Sequence, residues 1–192
     1  MFAMSTRRSP LAMALLSLVV EAPMHAYRMQ RLIRERHKDD VVNVAQRNSV
    51  YQTIERLLRD GLIAVRETSR EENRPERTVY EPTEAGRDTL RQWMRTMLSA
   101  RAREFPEFPA ALAFMPVLPP GEVRAALEER LASLEARLSE LDTDLTEGGR
   151  FLPRVFLVES EYQRAVLRAE RDYVRGLAAD LRAGLLDWDY RV

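Results

Sequence analysis

The stretch RNSVYQTIERLLRDG (47–61) decides the fold. At about 100° per residue, Val50, Ile54, Leu57 and Leu58 cluster on one side of a helix. Ser49, Gln52, Arg56 and Arg59 fall opposite, with Asn48 and Tyr51 on the flanks. Asn48 or Ser49 is expected to cap the helix, and Gly61 to stop it. One apolar face and one face of Asn, Ser, Gln and Arg suit a helix laid in a DNA major groove. Amides read adenine edges, Arg reads guanine, and hydroxyls and the helix N-terminus hold phosphates. Alone, the segment also fits an ordinary amphipathic surface helix.

Upstream, residues 9–21 read as an apolar helix ended by Ala22-Pro23. Residues 25–37 read as an amphipathic one, with Arg28, Arg31, Arg34 and Arg36 outside Tyr27, Met29, Leu32 and Ile33. Downstream the period changes. Residues 62–68 and 78–81 read as strands around a charged tip, SREENRPER (69–77), that carries Arg70, Arg74 and Arg77. Pro82 ends the second strand, and Thr83 is placed to cap a helix over 84–103. Three helices, a hairpin and a helix follow the order of a winged helix-turn-helix. A basic wing lies along the DNA backbone or enters the minor groove, where Arg is favoured. Glu71, Glu72 and Glu76 weaken that potential, so a merely solvated loop stays open.

The C-terminal half reads as helical. Residues 104–121 hold five prolines around a short helix (110–115). From 122 to 146, Val123, Leu127, Leu131, Leu134, Leu138, Leu141 and Leu145 make a near-heptad seam. Gly148-Gly149 and Pro153 interrupt it. A second long helix over 155–186 aligns Val158, Tyr162, Val166, Ala169, Tyr173, Leu177 and Leu181. Two seamed helices joined by a short turn predict an antiparallel hairpin, whose spare apolar stripe seeks another surface.

Composition agrees with a folded chain. Of 192 residues 45% are apolar and 31% charged, which fits one domain or two small ones. Formal net charge is zero, yet residues 1–100 carry 17 basic against 13 acidic side chains, and the rest the reverse. A basic half hints at an anionic partner. There is no Cys, which excludes disulfides and thiolate chemistry. Glu21 and His25 are spaced i, i+4 but have no further ligand nearby in sequence, so no metal site is expected. His25 with Ser49 makes no triad without a placed acid and an oxyanion hole. No phosphate-loop, dinucleotide or hydrolase motif occurs. No catalytic residue and no cofactor are therefore expected. TRRSPLAMALLSLVV (6–20) has the paired Arg and apolar run of a secretory leader. The run is shorter than the roughly 20 residues a span needs. Pro10 suits the first turn of a helix that stays and packs, so a cytoplasmic, membrane-free protein is expected.

Three motifs in order make residues 11–90 resemble the DNA-binding domain of the PadR family of bacterial transcriptional regulators. Ala22-Pro23-Met24-His25-Ala26-Tyr27 matches the family's Pro step into an H-G-Y helix start. Ser49-Val50-Tyr51-Gln52-Thr53-Ile54-Glu55-Arg56-Leu57-Leu58-Arg59-Asp60-Gly61-Leu62-Ile63 matches its recognition-helix run. Tyr80-Glu81-Pro82-Thr83-Glu84-Ala85-Gly86-Arg87 matches the close of its wing. Ala26 stands where the family has Gly, Gln52 where it has Pro, and Leu58 where it has Glu. Beyond residue 103 the similarity is one of layout only.

The resemblance implies a homodimeric repressor, dimerised through its C-terminal helices and often answering a small molecule. It implies that Tyr51 faces the DNA backbone and that His25 and Tyr27 stand at the start of helix two. For Tyr27, packing into the core is the alternative. For His25 it is a helix-start hydrogen bond, the better reading of the two. The expected fold is mainly α with a small β-hairpin wing. It comprises a winged helix-turn-helix (1–103) and an antiparallel helical dimerisation and effector domain (104–192). The expected partners are double-stranded DNA bearing an inverted repeat, a second copy, and a small-molecule effector. Asn48, Ser49, Tyr51, Gln52, Arg56, Arg70, Arg74, Arg77, Tyr27 and His25 are the expected DNA contacts. The rival readings are a winged helix used for protein contacts, and a ligand-binding protein built on the C-terminal helices.

Overall fold

The computed structural model describes residues 8–44, 47–69 and 77–189. The chain divides into two compact units, residues 1–103 and 104–192. The first runs α1 (Pro10–Glu21), β1 (Met24–His25), α2 (Ala26–Glu35), α3 (Arg47–Arg59), β2 (Ile63–Ser69), β3 (Arg77–Pro82) and α4 (Glu84–Ser99).

Helix α1 is the centre of this unit. Ser9 caps it, its Oγ accepting the Ala12 N–H at 3.1 Å, and Pro10 fills the first helical position. The apolar run that looks like a leader lies inside. Ala12, Leu15, Leu16, Leu18 and Val19 are buried, and the helix packs against α3, β3 and α4. Among the described residues no helix is long and apolar enough to cross a membrane.

The sheet has three strands in the order β1-β3-β2, all antiparallel. The sequence pattern gives only two. Strand β1 is two residues long, pairing Met24 with Tyr80 and His25 with Val79. No period is visible in two residues, so only the partner strand defines it. Other boundaries shift too: α2 stops at Glu35 and α4 at Ser99, short of 37 and 103. A carboxylate–guanidinium fork ties α1 to the end of α2. Arg36 donates to both Glu21 oxygens at 2.8 Å. The Arg36 hydrogen bond holds the Glu21 carboxyl below its ordinary 4.5 against a smaller opposing cost of burial. A lowered carboxyl pKa stabilises the fold fully above about pH 4.5 and is lost as pH falls through the folded value. Both side chains are about half exposed (52% and 44%), so the pair contributes no more than about 1 kcal/mol. Glu21→Gln should therefore lower unfolding stability slightly at pH 7, and by progressively less as pH falls below 4.5, as read by denaturant titration across a pH series.

The α3–wing–α4 junction is set by backbone chemistry. Gly61 has φ +68°, and the Gly61 and Leu62 N–H groups close back on the Leu58 and Leu57 carbonyls at 2.9 Å. That is a left-handed helix stop that glycine meets at little steric cost. Thr83 then returns the chain. Its Oγ1 donates to the Gly61 carbonyl at 2.7 Å and accepts the Gly86 N–H at 3.0 Å. A Cβ at Gly86 would sit 2.0 Å from the Leu62 carbonyl oxygen. The Thr-x-x-Gly spacing at the wing's close thus lets α4 touch the turn that follows α3.

The second unit contains α5 (Glu107–Ala113), a 3-10 turn (Met115–Val117), α6 (Pro120–Gly148), a second 3-10 turn (Arg154–Phe156) and α7 (Val158–Arg182). The α6 seam is as read: Val123, Leu127, Leu134, Leu138 and Leu141 are buried. Helix α7 is rotated from the predicted stripe. Val174 and Ala178 are its buried residues, with Leu167, Leu177 and Leu181 packed beside them. Tyr162, Val166 and Tyr173 lie outside, Tyr162 at 71% exposure. Ion pairs fix the antiparallel register. Arg182–Glu128, Arg175–Glu135 and Arg168–Asp142 step seven residues down one helix and seven up the other, at 2.7, 2.7 and 3.0 Å. Each is exposed and screened by solvent, so together they bear on register more than on stability. Arg130 lies 3.8 Å over the Phe108 ring and pins α5 to α6, while Trp188 Nε1 donates to the Leu118 carbonyl at 3.0 Å.

Candidate nucleic-acid interface

Helix α3 is anchored by Val50, Ile54 and Leu57, all essentially inaccessible. Burying each such side chain is worth roughly 1.5–3 kcal/mol, so the helix has one permitted rotation. Thr53 is buried as well, its Oγ1 donating to the Ser49 carbonyl at 2.7 Å. The opposite, solvent-facing crest is formed by Tyr51, Gln52, Glu55 and Arg59.

That crest differs from the predicted one. Arg56 does not face out. It is half-buried, its Nη2 3.4 Å from Ser9 Oγ at the start of α1. Its Nε is buried and has no hydrogen-bond partner among the described residues. Ser49 is half-buried on the same edge. Tyr51, expected on a flank, stands on the crest at 47% exposure. Asn48 and Ser49 lie within the first turn of a helix that starts at Arg47, so neither caps it. The Arg47 and Asn48 side chains lie outside the described residues. Glu55 is the residue that sequence reasoning left out. It follows Tyr51 by four positions and Gln52 by three, which places it on their face.

Helix α2 presents Arg28, Arg31 and Arg34 to solvent, while Ala26, Met29, Gln30 and Ile33 are buried. Gln30, at 5% exposure, takes the inward place the apolar pattern gave to Tyr27, and its Nε2 lacks a partner among the described residues. Tyr27 is 58% exposed and stacks on His25, ring centroids 6.3 Å apart, so it is not a core residue. His25 caps α2, its Nδ1 accepting the Arg28 N–H at 3.1 Å. This is the helix-start hydrogen bond that the sequence favours for it.

The wing stands beside the crest. Burial, with smaller contributions from nearby Tyr51 and Glu55, pushes the partly buried Tyr80 phenol of β3 above its ordinary 10.0. Arg77 begins β3, and its side chain lies outside the described residues, as do Arg70 and Arg74 altogether. Among the described residues no group of three or more His, Asp or Glu is placed to hold a metal ion.

Residues 15–92, which span α1 to α4, match the model of the transcriptional regulator PadR-like family. Over that stretch the chain is similar to PadR-like transcriptional regulators. The fold is that of solved PadR and PadR-like structures. Bacillus subtilis PadR in complex with operator DNA superposes with a TM-score of 0.68 at 17% identity, over 90% of this chain and 99% of that one. The B. subtilis PadR complex with p-coumaric acid gives 0.67 at 17% identity, over 90% and 98%. A PadR-like transcriptional regulator from Bacillus cereus gives 0.63 at 14% identity, over 91% and 99%. No curated protein matches the chain in sequence.

Proposed function

We propose that this PadR-like chain is a homodimeric, cytoplasmic repressor. Each copy inserts α3 into the major groove of one half of an inverted repeat. The observation that carries the reading is the α3 crest: four polar or aromatic side chains exposed on a helix whose other face is locked into the core. The Arg28, Arg31 and Arg34 row on α2 suits the phosphate backbone beside that groove. Arg70, Arg74 and Arg77 would follow the backbone along the wing. The operator complex of B. subtilis PadR supports DNA as the partner, and its p-coumaric acid complex supports a small-molecule effector. Pairing of copies is supported by the unpartnered Tyr162, Val166 and Tyr173 on α7 and by exposed Phe151 and Phe156 at the hairpin turn.

A dimer places two equal helices about one or two turns apart, roughly 10 or 20 bp. Such a dimer blocks polymerase while both fit. An effector that prefers a splayed dimer releases it, by no more than its differential affinity for the two states. The test is footprinting of the DNA beside the protein's own gene, with the mass of the complex read by sedimentation. Two chains protecting one inverted repeat is the expected result. A single chain, or no protected sequence, refutes the reading.

A further inference from the structure

Glu55 is an acid in the wrong place for a surface that only grips phosphate. It lies on the α3 crest, one helical turn from Tyr51 and one from Arg59, and is exposed. Glu followed by Arg at i+4 is a favourable helical pair. Yet Arg59 Nε instead lies 3.6 Å from Asp60, and no ion pair engages Glu55 among the described residues. Its charge is near enough to Tyr51 and the wing to be felt at Tyr80. An unneutralised carboxylate facing a polyanion is repulsive, unless it meets a hydrogen-bond donor. In the major groove the donors on base edges are the exocyclic amino groups of cytosine and adenine, and carboxylates suit cytosine N4.

We propose that Glu55 is a specificity-determining residue that accepts a hydrogen bond from a cytosine amino group in each half-site. The inference rests on α3 reading DNA, as argued above. Glu55 penalises sequences that present only acceptors at that point, while Gln52 and Arg59 supply attraction. The two acts are separable because they come from different side chains on one face.

The test is binding-site selection from a randomised duplex library with the full-length wild type, Glu55→Ala and Glu55→Gln. Circular dichroism establishes that each variant folds, which an exposed position permits. The wild type is expected to enrich one cytosine per half-site. Glu55→Ala should lose discrimination at that base pair by about tenfold, leaving the other positions unchanged. Glu55→Gln should shift the preference there toward adenine, which offers a donor and an acceptor to an amide. Both variants should bind mixed-sequence duplex more tightly than the wild type, since a repulsive charge is gone. Identical motifs from all three proteins overturn the inference while leaving α3 as the reading helix. A wild type that enriches no sequence overturns the DNA-reading proposal, and this inference with it.

Discussion

Gly86→Ala should cost the first unit about 3 kcal/mol or more and lower its thermal midpoint by roughly 10–25 °C. The added methyl would lie 2.0 Å from the Leu62 carbonyl oxygen and 2.9 Å from its carbon. Both are backbone atoms held by the Gly61 turn, so no side chain can swing aside. Relief requires α4 to move away. That breaks the hydrogen bond from the Gly86 N–H to Thr83 and strains the one from Thr83 to Gly61. Gly176 provides the control. It lies within α7 with nothing within 4 Å of the position of its Cβ. The same change there should stabilise by about 0.5–1 kcal/mol, because alanine loses less backbone entropy in a helix. Thermal unfolding followed by circular dichroism reads both. Equal midpoints for Gly86→Ala and the wild type would mean that α4 does not approach Leu62 as described.

The second large effect belongs to Gln52. Gln52→Ala should lower affinity for a selected site by about 5- to 150-fold, equivalent to 1–3 kcal/mol, and relax base preference at one position. Its effect on mixed-sequence DNA should be small, because an amide contributes little to phosphate binding. Arg59→Ala should behave in the opposite way. It should weaken all sequences similarly and reduce the slope of log affinity against log salt by about one. Fluorescence anisotropy on specific and scrambled duplexes, across a salt series, separates the two. Arg56→Ala belongs to neither class. With its guanidinium turned toward Ser9, the change should be felt first in unfolding stability.

The legibility of this chain in its sequence follows a physical pattern. Segments whose partners lie close in sequence read correctly. Gly61 stops α3 through its own backbone conformation, and Thr83 caps α4 through a bond three residues away. The α6 seam reads correctly because its apolar positions repeat over about six turns without a rival stripe. What failed depended on neighbours distant in the chain. The crest of α3 was rotated toward Arg56 because a helical projection does not know that the start of α1 covers that edge. Thr53 is polar by type, yet its hydroxyl bonds its own helix carbonyl and the residue is buried. Tyr27 looked apolar and Gln30 polar, yet their places are exchanged. Helix α7 carries two apolar stripes, and only α6 decides which one packs inward. The two-residue β1 exists because β3 is beside it.

The proposed reading face is thus shaped as much by what covers Arg56 as by what α3 exposes. Because the chain contains no Cys, a single Arg59→Cys substitution can carry a DNA-cleaving iron chelate at one known point on the α3 crest. Cutting of an end-labelled operator by that conjugate tests the central claim most directly. The account predicts two clusters of cuts, placed symmetrically about the centre of the repeat, in the major groove and roughly 10 or 20 bp apart. Cuts scattered along the duplex, or a single cluster on one half-site, would contradict it.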